Sequence, residues 1–163
     1  MGKAKAAALL PAVAACIAFV GSALAAAPAQ AGGDQGGAVL NQINATRAAN
    51  GCGPVAFNPQ LTASAARQAN DMLANGVQGH IGSDGSTVAQ RAKDAGYVSY
   101  TKLGEIVFWS AGPGATPAAA AVTWWMTSPR HRAIITDCDL TDAGFSAVSN
   151  GDRIAVAGDF GKT

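Results

Sequence analysis

Cys52 and Cys138 are the cysteines that remain once an N-terminal leader is removed, and they constrain the fold more than any other feature. In a chain that enters an oxidising compartment, two remaining cysteines read as one disulfide. Such a bond ties the loop after the first helix to the segment before the last hairpin. Closing a loop of about 86 residues contributes roughly 4.5 kcal/mol in the chain-entropy model. Two free thiols are the alternative. Spacing gives no support to a metal role for the pair, because neither cysteine has a C-x-x-C neighbour.

The leader carries the features of an export signal. Lys3 and Lys5 form a positive start, and an apolar stretch follows over residues 6–27, broken by Pro11 and Gly21. Ala29-Gln30-Ala31 puts small residues at −3 and −1, with Gly32 after the cut. The reading is a signal peptide over 1–31, a flexible entry over 32–37 and one domain over 38–163. A retained membrane anchor is an alternative, since the run approaches spanning length, though its alanines make it weakly apolar. Lipid anchoring through Cys16 is another. Val13-Ala14-Ala15-Cys16 fits a lipoprotein box, but Ile17-Ala18-Phe19-Val20 stays apolar where such a chain turns polar. Secretion is therefore expected, with no integral membrane segment after cleavage.

Charge narrows the function classes. Losing Lys3 and Lys5 takes the formal net charge from +1 to −1, so no nucleic-acid surface is expected. An apolar content of 49% against 13% charged residues excludes a wholly disordered chain. There is no G-x-x-x-x-G-K-[ST], H-E-x-x-H or G-x-S-x-G, which leaves out nucleotide loops, a standard metalloprotease helix and a hydrolase elbow.

Helix signals follow in order. Val39, Leu40 and Ile43 recur at helical spacing before Gly51. Asn58-Pro59 reads as an N-cap with proline at N1, opening a helix through Leu61, Ala65, Ala69 and Met72 that Gly76 closes. Ser86 is placed to cap a shorter helix carrying Val88 and Ala92 and ending at Gly96. Residues 103–109 form an apolar, aromatic run that suits a strand. Thr116-Pro117 repeats the cap signature before Val122, Trp125 and Met126, and Ser128-Pro129 restarts a short helix through Ile135. The adjacent Trp124 and Trp125 point about 100° apart on a helix, so Trp125 is assigned to the core and Trp124 to a groove. Two β-like runs, 144–149 and 153–157, flank the hairpin turn Asn150-Gly151. The order predicts an α+β fold, helices packed on a small, mostly antiparallel sheet.

His80, His131 and Glu105, the lone glutamate, are the polar residues best suited to chemistry, because imidazole changes charge near neutral pH and ligates metals. Each has a plainer reading. His80 is an ordinary loop histidine, His131 belongs to a solvated or phosphate-facing helix start between Arg130 and Arg132, and Glu105 is a surface charge on an edge strand.

These residues fall within blocks that resemble a known family. They are His80-Ile81-Gly82-Ser83-Asp84-Gly85-Ser86 with Arg91 and Ala95-Gly96-Tyr97; Gly104-Glu105; Trp125-Met126-Thr127-Ser128-Pro129-Arg130-His131-Arg132 with Ile135; and Ala143-Gly144-Phe145 with Asp159-Phe160-Gly161. Together they resemble the bacterial branch of the CAP superfamily, that of cysteine-rich secretory proteins, antigen 5 and class 1 pathogenesis-related proteins. The resemblance implies an α-β-α sandwich with His80, Glu105 and His131 converging on one cleft, beside Ser83 and Ser128. Family members with two histidines and two glutamates bind a divalent metal there. In this chain Ile106 replaces the asparagine of the Gly-Glu-Asn block, no second glutamate exists, and Ser128 falls near the other acid. His80, His131 and Glu105 are thus the expected ligands if zinc or another divalent metal binds. The resemblance implies a secreted, monomeric binding module for a lipid, an ion or an extracellular protein. A metal-assisted hydrolase is the alternative, and a cluster that only knits the cleft is a third reading.

Overall fold

A computed structural model describes residues 1–2, 34–112 and 118–163. The leader, its Ala31/Gly32 cut, Cys16 and the Thr116-Pro117 cap lie outside the described residues. In chain order the elements are α1 (Gly36–Ala49), β1 (Ala56–Phe57), α2 (Pro59–Asn75), α3 (Val88–Asp94), β2 (Lys102–Ala111), α4 (Ala118–Thr127), α5 (Pro129–Ile135), β3 (Asp142–Ser149) and β4 (Arg153–Lys162). No described helix is long and apolar enough to cross a membrane.

Local chemistry sets most element ends. The Asn58 side chain accepts from the Gln60 and Leu61 amides, both at 3.0 Å, and Pro59 opens α2. Gly76 closes it at φ 72°, where a side chain would be strained. For α3 the cap is Thr87 rather than Ser86: the Thr87 hydroxyl accepts from the Gln90 amide at 3.2 Å. Helix α1 begins two residues inside the segment read as an entry. Before it, Asp34 accepts from the Gly36 and Ala147 amides at 2.8 and 2.9 Å and from the Ser146 hydroxyl at 2.6 Å, fastening the helix start to β3.

The four strands lie in the order β1-β3-β4-β2. The β2–β4 and β3–β4 pairs are antiparallel, and only the two-residue β1 runs parallel to β3. Strand β4 is central, and alternate residues serve opposite layers. Ile154, Val156 and Phe160 join Ile106, Phe145 and Trp125 in the core beneath α1, α4 and α5. Ala155, Ala157 and Val107 face α2, which with α3 covers the other side. The result is an α-β-α sandwich. Gly144 makes one interface possible: a Cβ there would lie 2.0 Å from the Thr62 amide nitrogen of α2.

Cys52 and Cys138 are bonded, with Cα atoms 4.9 Å apart, and Asp137 and Asp139 on either side of Cys138 are ion-paired with Lys102 at the start of β2. Arg47, buried in α1, knits the same segments. Its guanidinium donates to the carbonyls of Gly53, Ile135, Asp137 and Leu140 at 2.9–3.0 Å.

Candidate binding cleft

Strand β2 is an edge of the sheet, and its outer half carries Val107, Phe108 and Trp109. Val107 and Trp109 pack with the α2 layer, while Phe108 packs with the opposite layer. A cleft at this edge therefore draws walls from both layers. Met72 of α2 and the Gln78-Gly79-His80 loop line one side, and Trp124 of α4 with His131 of α5 line the other. The volume of this open cleft is about 370 Å³. Trp125 is fully buried and donates its indole N–H to the Val107 carbonyl at 2.8 Å, while Trp124 remains 49% exposed. The Trp124 ring lies 5.3 Å from His131 and 5.7 Å from Phe108.

The His80 loop cannot be helical, because its glycines remove the side-chain restraints a helix interior uses. It is held by contacts from two helices instead. Gln68 donates to the Gly79 carbonyl at 2.6 Å and Arg91 to the His80 carbonyl at 3.2 Å. His80 Nδ1 lies 2.8 Å from Glu105 Oε1, while Glu105 Oε2 is ion-paired with Arg91 Nη2. The Glu105 carboxylate can only accept, so the contact places a hydrogen on His80 Nδ1 and turns Nε2 away from Glu105. The Glu105 side chain is 2% exposed and that of His80 is 51% exposed. Glu105 thus supports the cleft from beneath and does not line it.

A buried polar group continues below. Asp159 is the register partner of Glu105 on β4 and is fully buried. Burial raises its pKa well above the ordinary carboxyl value, and the facing Glu105 charge raises it further. The Asp159 carboxyl meets the Ser64 hydroxyl and the Glu105 carboxylate, while Gln68 Oε1 and Arg91 Nε are buried without a hydrogen-bond partner among the described residues. So are two ring nitrogens on the cleft wall, Trp109 Nε1 and His131 Nδ1. The pKa of His131 is lowered, first by burial and then by His80.

The structure thus brings His80 and His131 to one cleft, with Glu105 behind His80. Ser83 and Ser128 do not line it. Ser83 is turned to α2, donating its amide and hydroxyl to Asp71, both at 2.6 Å. Ser128 precedes α5 without a side-chain capping bond, its amide donating to the Trp125 carbonyl at 3.0 Å. The expected zinc trio of His80, His131 and Glu105 does not offer three open ligands, because both Glu105 oxygens are engaged. Among the described residues no three His, Cys, Asp or Glu side chains are grouped to hold a metal. These residues do not fit a zinc ion bound by three protein side chains.

Sequence reasoning assigned no role to Trp109, Gln68 or Asp159. A signal for Asp159 was present: a carboxylate in an otherwise apolar strand is rarely buried without a special partner.

Comparison with known proteins fits this arrangement. An extracellular protein with an SCP domain from Bacillus anthracis str. Ames has TM-score 0.65 at 19% identity, with 78% of this chain and 40% of that one covered. An outer surface protein of Borrelia burgdorferi has TM-score 0.67 at 20% identity, with 77% and 90% covered. A cysteine-rich secretory protein from Staphylococcus aureus subsp. aureus Mu50 has TM-score 0.56 at 17% identity, with 79% and 40% covered. The chain therefore spans 40% of the length of the Bacillus and Staphylococcus proteins. At these identities the likeness shows the fold. No curated protein matches the chain. Residues 40–160 match the model of the cysteine-rich secretory protein family, CAP, and the chain belongs to that family.

Proposed function

We propose that the chain is exported, loses its leader after Ala31, and works outside the cell as a monomeric binding module whose ligand enters the cleft at the β2 edge. Export is supported by the leader pattern, by the disulfide, and by the extracellular and outer-surface descriptions of the Bacillus and Borrelia proteins. One observation carries the binding reading. The cleft of about 370 Å³ at the β2 edge holds an open Trp124 ring, 49% exposed and 5.3 Å from His131, beside the half-exposed His80 side chain. The alternative, metal-assisted hydrolysis, needs Glu105 open, and Arg91 and His80 occupy it.

A fragment screen by nitrogen–proton NMR on the full chain tests the reading. At least one fragment should shift the ring signals of both His80 and His131 saturably, and a screen in which none does removes it. Calorimetry with micromolar zinc should show no uptake. Uptake that disappears in His131→Ala would favour the metal instead.

A further inference from the structure

Three Asn-Gly pairs occur in the chain: Asn50-Gly51, Asn75-Gly76 and Asn150-Gly151. Such a pair carries its own chemistry. The glycine amide nitrogen, unshielded by a side chain, can attack the asparagine side-chain carbonyl carbon. All six residues are exposed and all three glycines have positive φ, so neither property separates the pairs. Hydrogen bonding does. At the end of α1 the Gly51 amide donates to the Ala48 carbonyl at 3.2 Å, and the Asn50 side chain donates to the Thr46 carbonyl at 2.8 Å. At the end of α2 the Gly76 amide donates to the Met72 carbonyl at 3.1 Å. The Asn75 side chain there donates to Asp71 Oδ1 at 2.6 Å and to Ser83 Oγ at 3.3 Å. In both places the attacking nitrogen and the side chain it would attack are held.

The tip of the β3–β4 hairpin is different. The ladder ends at the Ser149–Ile154 pair, and the Asn150 amide donates to the Arg153 carbonyl at 3.1 Å. Past that bond, neither the Asn150 side chain nor the Gly151 amide has a hydrogen-bond partner among the described residues. We propose that Asn150 is a modification site, converted without an enzyme to isoaspartate and aspartate through a cyclic imide formed with Gly151. Hydroxide takes the Gly151 amide proton, and that nitrogen bonds to the Asn150 side-chain carbonyl carbon. The bond from this carbon to Nδ2 breaks, and Nδ2 takes a proton from water and leaves as ammonia. Water then opens the ring. Attack at the main-chain carbonyl gives isoaspartate, and attack at the side-chain carbonyl gives aspartate. The sum is one amide and one water giving one carboxylic acid and one ammonia, with no change of oxidation state. The tip gains a carboxylate beside Asp152. In the isoaspartyl form it also gains one main-chain carbon between two strands that pair in fixed register.

Trypsin places the three pairs on separate peptides, 48–67, 68–91 and 133–153, and Asn150 is the sole amide side chain in the last of these. The folded full chain is held near pH 8 beside the same chain unfolded in urea with a thiol reductant. Both are sampled over days by peptide mass spectrometry and chromatography. In the unfolded chain all three peptides should gain the mass of an amide turned acid and split into two isomeric peaks. In the folded chain peptide 133–153 should convert within about threefold of the unfolded rate, because an unbonded loop tip opens at almost no cost. The other two peptides should convert at least about tenfold more slowly than when unfolded, because their reaction waits on local opening of a helix end. The proposal is overturned if peptide 133–153 stays unchanged in the folded chain while it converts in urea. It is equally overturned if all three convert alike in the folded chain, or if the product is aspartate with no isoaspartyl peak.

Discussion

Arg47 and Arg91 are both buried arginines, yet they sit in opposite kinds of surroundings. Arg47 uses Nε, Nη1 and Nη2 on four backbone carbonyls, with the Asp137 carboxylate close enough to favour its charge. It behaves as a cross-brace beside the Cys52–Cys138 bond, where the chain needs only to be held. Arg91 reaches the Ser86 and His80 carbonyls and Glu105, while its Nε has no partner among the described residues. Gln68 Oε1 beside it also lacks a partner among the described residues, and the buried Asp159 carboxyl faces the Glu105 carboxylate. Buried polar groups are normally satisfied, so a concentration of exceptions marks a region not arranged for stability alone. One end of the sandwich is closed by bonds that are complete. The other supports a cleft with bonds that are not.

The sharpest way to break this contrast is to cut the closed end. Replacing both Cys52 and Cys138 with serine should cost about 4.5 kcal/mol of unfolding free energy, as loop-closure entropy for a separation of this size predicts. Urea unfolding with the NMR fold signals monitored would measure it. A loss below about 1 kcal/mol would mean that Arg47 and the core already confine these segments in the unfolded ensemble. Arg47→Met should cost slightly less, about 4 kcal/mol, because several buried carbonyls lose their donor while the apolar stem is kept. If Arg47→Met is nearly neutral, water has replaced the guanidinium and the end is not closed as described.

The closed end was partly legible in the sequence and the open end much less so. Cysteine counting needs no geometry, and Asn58-Pro59, Gly76 and Asn150-Gly151 act within a few residues, so local chemistry fixes them. Strand β1 is two residues long and exists through its pairing with β3, more than eighty positions later, so no periodicity could reveal it. Arg47 reads as an ordinary basic residue near a helix end, and only the fold brings the carbonyls of Ile135, Asp137 and Leu140 to it. His80, Glu105 and His131 were found by resemblance to family blocks. That Glu105 sits beneath the cleft follows from the strand face it shares with Val107 and from the register placing Asp159 opposite, neither of which spacing supplies. Trp109 and Met72 meet in the cleft only because α2 packs on that face.

The open end is tested by pH, with a smaller expected effect. Asp159 holds its proton more tightly in the folded state than its ordinary value of 3.8, because it is buried and faces Glu105. A carboxyl raised on folding costs nothing below the unfolded value, and its penalty grows as pH rises through the folded value. Asp159→Asn mimics the protonated side chain and removes the titration. Near pH 4 parent and variant should be similar in stability, and the variant should gain on the parent as pH rises toward 8. Urea midpoints across that range check it. A difference that does not change with pH would mean that Asp159 is held charged by partners the polar group already contains, and the open end would be as complete as the closed one.

The smallest effect expected concerns His131, and it bears on the cleft itself. Its ring should titrate below 6.5, and proton NMR of the ring signals reads the midpoint directly. Burial is the larger cause and His80 the smaller, so His80→Gln should raise the midpoint without restoring 6.5. The stability consequence has the opposite direction to that of Asp159. A histidine lowered on folding contributes fully above 6.5, and the contribution falls as pH drops below it, because the unfolded chain takes the proton first. A midpoint at or above 6.5 would place a charged ring beside Trp124 and Trp109 at mildly acidic pH. The cleft would then suit anions, and the contrast between a cation satisfied by carbonyls in one region and a neutral, aromatic-walled hollow in the other would be lost.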